Sequence, residues 1–214
     1  MDAIIPVKSL VLAKTRLAHM LTRSERHGLA LAMLEDVLSA LHGSPHIEHM
    51  YVMGRDPEAL RLARLYAAEW LFDSTRDLNS ALRLGAQHAY AQGGASLLLL
   101  HADIPLISTD DLERLAYMTQ SESSLVLAPS RDGGTNALAF RAPLPIPLCF
   151  GRRSLAMHLD AAKRRSLQTQ LLYSTSLRDI DRPEDLLWLM EQHATHITHT
   201  FIQTLGLIER AACA

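Results

Sequence analysis

Three aspartates and three cations along this chain have the types and spacings to handle a phosphate. Asp103 falls where the apolar run Leu97-Leu98-Leu99-Leu100 gives out, and Pro105, with no N–H to donate, stops any strand two residues later. At the carboxyl edge of a buried strand, where open α/β sheets bind ligands, such a carboxylate can hold a divalent cation on a phosphate. The alternative is an Asp that caps the next helix. Asp179 and Asp181 point the same way on an extended chain and could complete a metal site with Asp103, whereas Asp181 could instead cap the helix opened by Pro183 and Glu184. Lys8, Lys14 and Arg16 follow the first apolar segment, and each can neutralise a phosphate oxygen, Arg in bidentate fashion, as a triphosphate requires. A solvated charged loop would carry the same residues. No Gly-rich Walker string is present, so a phosphate cradle here must rely on side chains.

Two later stretches suit an anion. Gly133-Gly134 lets the backbone approach a ligand closely and offers its N–H groups, with the Thr135 hydroxyl beside them, although a bare hairpin turn looks similar. Gly151 and Ser154 precede a helix whose N-terminal N–H groups and dipole attract negative charge. Asn79 stands in the first turn of another helix, where an amide can read a purine or ribose edge with a donor and an acceptor together or simply start the helix.

The elements that must position these residues alternate. Ala3–Val7, Met50–Met53, Glu69–Phe72, Ser96–Leu100 and Ser124–Pro129 read as strands, with another after the double glycine. Helices are expected over Ser24–Leu41, from Asp56-Pro57, over Asp77–Ala91, from Ser108 to Gln120, over Leu155–Arg165 and from Pro183. Alternation of this kind implies right-handed crossovers and a parallel sheet covered on both faces, with the leucine run as its central strand.

At 214 residues the chain suits one α/β domain with a C-terminal extension. A formal net charge of -2 gives no basic field for nucleic acid or an anionic membrane. Cys149 and Cys213 match no ligand spacing and read as plain thiols. His193, His196 and His199 recur at a spacing of three and read as a wet helix or tail face rather than a metal site. Neither a signal-peptide pattern at Met1–Pro6 nor a membrane-length apolar segment is found, so a cytoplasmic protein is expected.

Taken in order, the pieces resemble a known family. Pro6-Val7-Lys8 with Ala13-Lys14-Thr15-Arg16-Leu17, Leu78-Asn79-Ser80-Ala81-Leu82, and Ala102-Asp103-Ile104-Pro105-Leu106 form its first half. Asp132-Gly133-Gly134-Thr135-Asn136-Ala137-Leu138, Phe150-Gly151 with Ser154 and His158, and Asp179-Ile180-Asp181 before Pro183-Glu184-Asp185-Leu186 form the second. From Ile4 to Leu187 this pattern is similar to the phospholactate guanylyltransferase family, also called CofC.

The resemblance implies an α/β, three-layer, Rossmann-like nucleotidyltransferase (GT-A-like) fold over residues 1–195, its sheet mostly parallel with helices on both faces, followed by an extension over 196–214. It also implies an enzyme of deazaflavin coenzyme biosynthesis. Such an enzyme condenses GTP with a small phosphorylated three-carbon acid (2-phospho-L-lactate, phosphoenolpyruvate or 3-phospho-D-glycerate) to a guanylylated acid and pyrophosphate. Carried over by motif, Asp103 and Asp181 would hold Mg2+, and Lys8, Lys14 and Arg16 would bind the triphosphate, with Lys14, Arg16 and Asp103 serving the chemistry. Asn79 would meet the nucleoside, and Thr135, Gly151 and Ser154 would hold the phospho-acid. The chain departs from the family at Arg152-Arg153, where small residues are usual. Arg153 then either contacts the acid or points outward.

Another nucleotidyltransferase of this fold, acting on a molybdopterin or on a sugar or isoprenoid precursor, would carry a Gly-rich first loop, which is missing after Val7. A non-catalytic nucleotide-binding regulator would not need both carboxylates. In the tail, Phe201, Leu205 and Ile208 could form one apolar helix face that packs on the domain or on a second subunit. Homodimerisation and hand-over of the product to the next enzyme of the pathway stay open.

Overall fold

The four leucines Leu97–Leu100 are each fully buried, and they mark the middle of the sheet. The computed structural model describes residues 1–8, 10, 13–75, 77–120, 124–192 and 196–207. In chain order its elements are β1 (Asp2–Val7), α1 (Arg23–His42), β2 (Met50–Gly54), α2 (Pro57–Leu65), β3 (Glu69–Phe72), α3 (Leu78–Ala91) and β4 (Ser96–Leu100). There follow α4 (Thr109–Met118), β5 (Ser124–Pro129), β6 (Thr135–Arg141), α5 (Ser154–Arg164), β7 (Gln168–Leu171), α6 (Pro183–Glu191) and α7 (Ile197–Thr204).

The strands form one sheet in the order β3-β2-β1-β4-β6-β5-β7, which makes β4 the central strand. Its neighbour β1 is parallel, as expected, but β6 runs antiparallel to both β4 and β5. The reason lies in the short link between β5 and β6, residues 130–134, which suffices for a hairpin but not for the dozen or more residues a parallel crossover needs. The other pairings, β1/β2, β2/β3 and β5/β7, are parallel, so the sheet remains mostly parallel. The edge strand β7 was not expected from the sequence. Its Gln-Thr-Gln-Leu has no apolar period because it pairs with β5 alone and stays largely exposed.

Side chains alternate along β4, and the two apolar layers follow. Leu98 and Leu100 pack toward α1, α2, α4, α6 and α7, while Leu97 and Leu99 pack toward α3 and α5. Each such leucine contributes about 1.5–3 kcal/mol by burial. Helix α1 is buried nearly all round because α7 covers its outer side. Asp36 on α1 fixes that contact by accepting hydrogen bonds from the N–H of Ile197 and Thr198 (both 2.8 Å) and from the Thr198 hydroxyl (2.5 Å). Gly28 makes room for Phe201, whose ring would lie 2.6 Å from a Cβ added there. The tail helix thus packs on its own domain. Ile208, His193 and Cys213 lie outside the described residues.

Candidate active site

Parallel strands β1, β2, β3 and β4 all point their carboxyl ends, at Val7, Gly54, Phe72 and Leu100, toward one edge. Helix α1 carries the chain from β1 to β2 across one face, and α3 carries it back across the other face to β4. The crevice between β1 and β4 is therefore the topological switch point, where open α/β sheets take their ligands.

Lys14 and Asp103 meet at that crevice. Lys14 has a left-handed backbone (φ 54°) at the start of the turn Thr15–Leu17, and its side chain is only 6 % exposed. Its Nζ donates to Asp103 Oδ2 at 2.7 Å and lies 3.7 Å from Asp181 Oδ1. Arg16 donates to the other oxygen of Asp181 at 2.6 Å, with its own side chain half exposed. Lys8 lines the cleft and is exposed. The structure thus brings Lys14, Arg16, Asp103 and Asp181 into one cluster, in which Arg16 and Asp181 are 165 residues of sequence apart.

Neither aspartate caps a helix. Helix α4 is capped by Ser108, whose hydroxyl accepts from the N–H of Asp111 while the Asp111 carboxylate receives the Ser108 N–H. Helix α6 is served by Asp185, which accepts from the N–H of Arg182 (2.9 Å) and Asp181 (3.2 Å) and is held by Arg178. The main chain of Ile180 donates to the Asp103 carbonyl at 2.9 Å, which pins the 179–181 segment along the end of β4. Asn136 at the start of β6, itself buried, donates to Asp179 Oδ1 (3.0 Å) and to the Leu177 carbonyl (2.9 Å).

Electrostatics separates Asp103 from Asp179. Burial opposes ionisation of Asp103, but the Lys14 ammonium outweighs it, with His101 helping, and holds its carboxyl below the ordinary range. Burial pushes Asp179 up, and the Asp103 charge adds to this against the Asn136 hydrogen bond. Asp103 Oδ1 is buried with no hydrogen-bond partner among the described residues; His101 Nδ1 is 3.8 Å away. An orphaned carboxylate oxygen beside two further carboxylates suits a hard cation that takes oxygen ligands, so the residues fit a divalent metal. The triads that bring three ligand atoms within 4.8 Å of one another among the described residues are Asp2/Glu48/His49 and His27/Asp56/Glu58, and neither includes these aspartates.

The second group of expected residues lies at the start of α5. Ser154 donates to Thr135 Oγ1 at 3.2 Å, and both side chains are buried. His158, fully buried, accepts the Cys149 N–H at Nε2 (2.9 Å) and therefore carries its proton on Nδ1, from which it donates to Thr135 Oγ1 (3.1 Å). Burial lowers its pKa to about 4, so the ring stays neutral. Phe150 packs between His158 (5.0 Å, edge to face) and His101 (5.4 Å). Asn79 closes this group from α3, donating to the Phe150 carbonyl (3.1 Å) and accepting its N–H (2.7 Å). Both functions of its amide are engaged with main chain.

Gly151 has φ 132° and open space around it, and Arg152 and Arg153 are exposed, Arg153 in a left-handed conformation (φ 56°). The glycine pair differs from expectation. The Gly134 N–H is taken by Ser130 Oγ (2.8 Å), and the Gly133 N–H bonds to the Ser130 carbonyl (3.3 Å), so neither waits for an anion.

The whole chain matches a protein family. Residues 1–211 fit the family described as Guanylyl transferase CofC like. The chain belongs to this family. The phosphoenolpyruvate guanylyltransferase of Roseiflexus sp. (strain RS-1) is 38 % identical to it over 209 residues, covering 95 % of this chain and 93 % of that one. The 2-phospho-L-lactate guanylyltransferase of Methanocaldococcus infernus is 31 % identical over 208 residues, covering 97 % and 92 %. Among solved structures, a candidate nucleotide-diphospho-sugar transferase from Desulfovibrio desulfuricans G20 superposes with a TM-score of 0.81 at 16 % identity, over 98 % of this chain and 96 % of that one. That likeness concerns the fold alone.

In this CofC-like chain several site residues carried no motif. His101 and the trio Arg55, Asp73 and Thr75 line the cleft from the ends of β4, β2 and β3. The only signal for His101, Arg55 and Asp73 is position, since each directly follows a parallel strand and so stands at the ligand edge, and Thr75 has none. The Arg178–Asp185 pair, which positions the 179–182 turn, is seen only once the chain has folded back on itself. No helix among the described residues is long and apolar enough to cross a membrane.

Proposed function

We propose that this chain is a magnesium-dependent guanylyltransferase of deazaflavin coenzyme biosynthesis, joining the GMP moiety of GTP to the phosphate of a small phosphorylated three-carbon acid. The cluster of Lys14, Arg16, Asp103 and Asp181 at the switch point carries the reading, and family membership supplies the reaction class. A phosphate oxygen of the acid, ionised at neutral pH, attacks the α-phosphorus of GTP. A P–O–P bond forms, the α–β bridging P–O bond breaks, and pyrophosphate leaves with the electron pair. No general base is needed, so catalysis consists of in-line positioning and charge neutralisation.

Lys14 and Arg16 sit where they can move from the aspartates to the triphosphate, and Lys8 adds a third cation at the cleft. Asp103, Asp181 and Asp179 would hold Mg2+, which supplies neutralisation of the α-phosphate and the leaving pyrophosphate. Thr135, Ser154 and Gly151 form the phospho-acid side, with Arg153 at its rim. Thr135 Oγ1 accepts from both Ser154 and His158, which leaves its own proton free to donate to an anion. Asn79 serves by holding Phe150 and Gly151 rather than by reading the nucleoside. The test is product identification. Incubation with GTP, Mg2+ and each of 2-phospho-L-lactate, phosphoenolpyruvate and 3-phospho-D-glycerate should give, with one acid, a species of mass equal to that acid plus GMP less water. Absence of such a product with all three, in protein that binds GTP, overturns the reading.

A further inference from the structure

The cleft of about 770 Å³ extends well past the phosphate-handling cluster. It runs along the carboxyl edge from β4 across β1 and β2 to the end of β3, so the strand ends that lead into Asp103 and Asp73 stand three strand spacings apart, about 14 Å. That span is about the reach of a nucleoside triphosphate from its phosphates to the far edge of its base. Met33, Met53, Leu78 and Ala81 are among the residues that line the cleft and give it an apolar wall suited to a flat ring.

Three carboxylates besides Asp103 line this cleft, and two serve as helix caps. Asp56 accepts the N–H of Glu58 and Ala59 at the start of α2, and Asp77 accepts the N–H of Ser80 at the start of α3. Asp73 caps no helix. Its Oδ1 accepts both the N–H (2.8 Å) and the hydroxyl (2.6 Å) of Thr75, which fixes the carboxylate in one orientation. Its Oδ2 has no partner among the described residues. Arg55 at the end of β2 clamps the same turn by donating to the main-chain carbonyls of Asp73 and Thr75, the latter at 2.9 Å.

We propose that Asp73, pinned by Thr75 and the Arg55-clamped turn, reads the Watson–Crick edge of guanine through its free Oδ2. The proposal deepens the guanylyltransferase reading and rests on it. Guanine presents the adjacent donors N1–H and N2–H to an acceptor, whereas adenine presents an acceptor at N1 that a carboxylate repels. A fixed carboxylate therefore selects guanine by attraction and rejects adenine by repulsion.

The chemistry predicts a switch on exchange of one atom. In Asp73→Asn the Thr75 donors keep the amide oxygen at the Oδ1 position, so the NH2 faces the base. It then opposes guanine N2–H but matches xanthine, which carries a carbonyl in that place. Isothermal titration of the purified full chain with GTP, XTP and ATP, with Mg2+ and without a phospho-acid, reads this directly. The wild type should bind GTP at least tenfold more tightly than XTP or ATP, and Asp73→Asn should bind XTP more tightly than GTP, each change about 10- to 100-fold. Asp77→Asn, which keeps a competent helix cap, should retain the wild-type order. Binding of XTP by the variant also shows that it is folded. Retained preference for GTP over XTP in Asp73→Asn, or the switch appearing in Asp77→Asn instead, overturns the assignment while leaving the guanylyltransferase reading intact. A wild type that binds no GTP overturns both.

Discussion

The Lys14 ammonium lies 2.7 Å from the Asp103 carboxylate and 3.7 Å from that of Asp181, joining β4 and the segment before α6 to the loop after β1. One nearly buried cation thus holds Asp103 below the ordinary carboxylate range and draws a second carboxylate close to it, where the two would otherwise repel. The left-handed backbone at Lys14, uncommon for a residue with a side chain, is what aims it there.

Replacing Lys14 by Met should remove the positive charge and keep much of the side-chain volume. The kcat for pyrophosphate release should fall by about 10²–10³, as on loss of one transition-state charge partner. Titration of GTP without the phospho-acid should show that nucleotide binding weakens less than turnover.

Asn79 provides a test of positioning against nucleoside contact. Asp in its place can still accept the Phe150 N–H but can no longer donate to the Phe150 carbonyl. Asn79→Asp should raise KM for the phospho-acid more than KM for GTP and lower stability by about 1–3 kcal/mol. Steady-state kinetics with each substrate varied in turn separates the roles, since a nucleoside contact would move the GTP constant first.

His158 makes stability depend on pH. Its folded pKa of about 4 lies below the ordinary 6.5, so between those values the unfolded chain binds more protons and stability rises with pH. Taking the protein from pH 7 to pH 5 should cost about 2 kcal/mol through this residue alone. Urea denaturation at the two pH values should show a smaller loss for His158→Gln than for the wild type.

Asp36 makes the tail helix part of the domain. Asp36→Ala leaves the N-terminal N–H groups of α7 without their acceptor and should lower stability by about 2–4 kcal/mol, with pyrophosphate release unchanged at a temperature where the variant is folded. Limited proteolysis should then cut first near the start of α7.

Arg153 occupies a left-handed position that glycine adopts freely. Arg153→Gly should leave the fold stable and change the relative kcat/KM among the three phospho-acids. Equal ratios in both proteins would remove Arg153 from the acid site.

Much of this arrangement is legible in the sequence because it is local. The leucine run and Pro105 mark the end of β4 and place Asp103 at the ligand edge, and the alternation of strands and helices implies the switch point. What the sequence leaves open is settled by residues far away. Whether Asp103 or Asp181 caps a helix depends on Ser108, Asp111 and Asp185 taking those tasks. Asn79 looks free in sequence until Phe150, 71 residues on, engages both its nitrogen and its oxygen. The antiparallel course of β6 is written in the short 130–134 link, whereas β7 has no period to read because edge strands need none. Arg55, Asp73 and Thr75 belong to no motif and come together only when β2 and β3 pair.

The most direct measurement is pyrophosphate release from GTP and phospho-acid by wild-type protein and Asp103→Ala, run side by side in Mg2+. The wild type should release pyrophosphate with one of the three acids and the variant none above background, with an unchanged far-ultraviolet circular dichroism spectrum. Turnover by Asp103→Ala with normal Mg2+ dependence would contradict it.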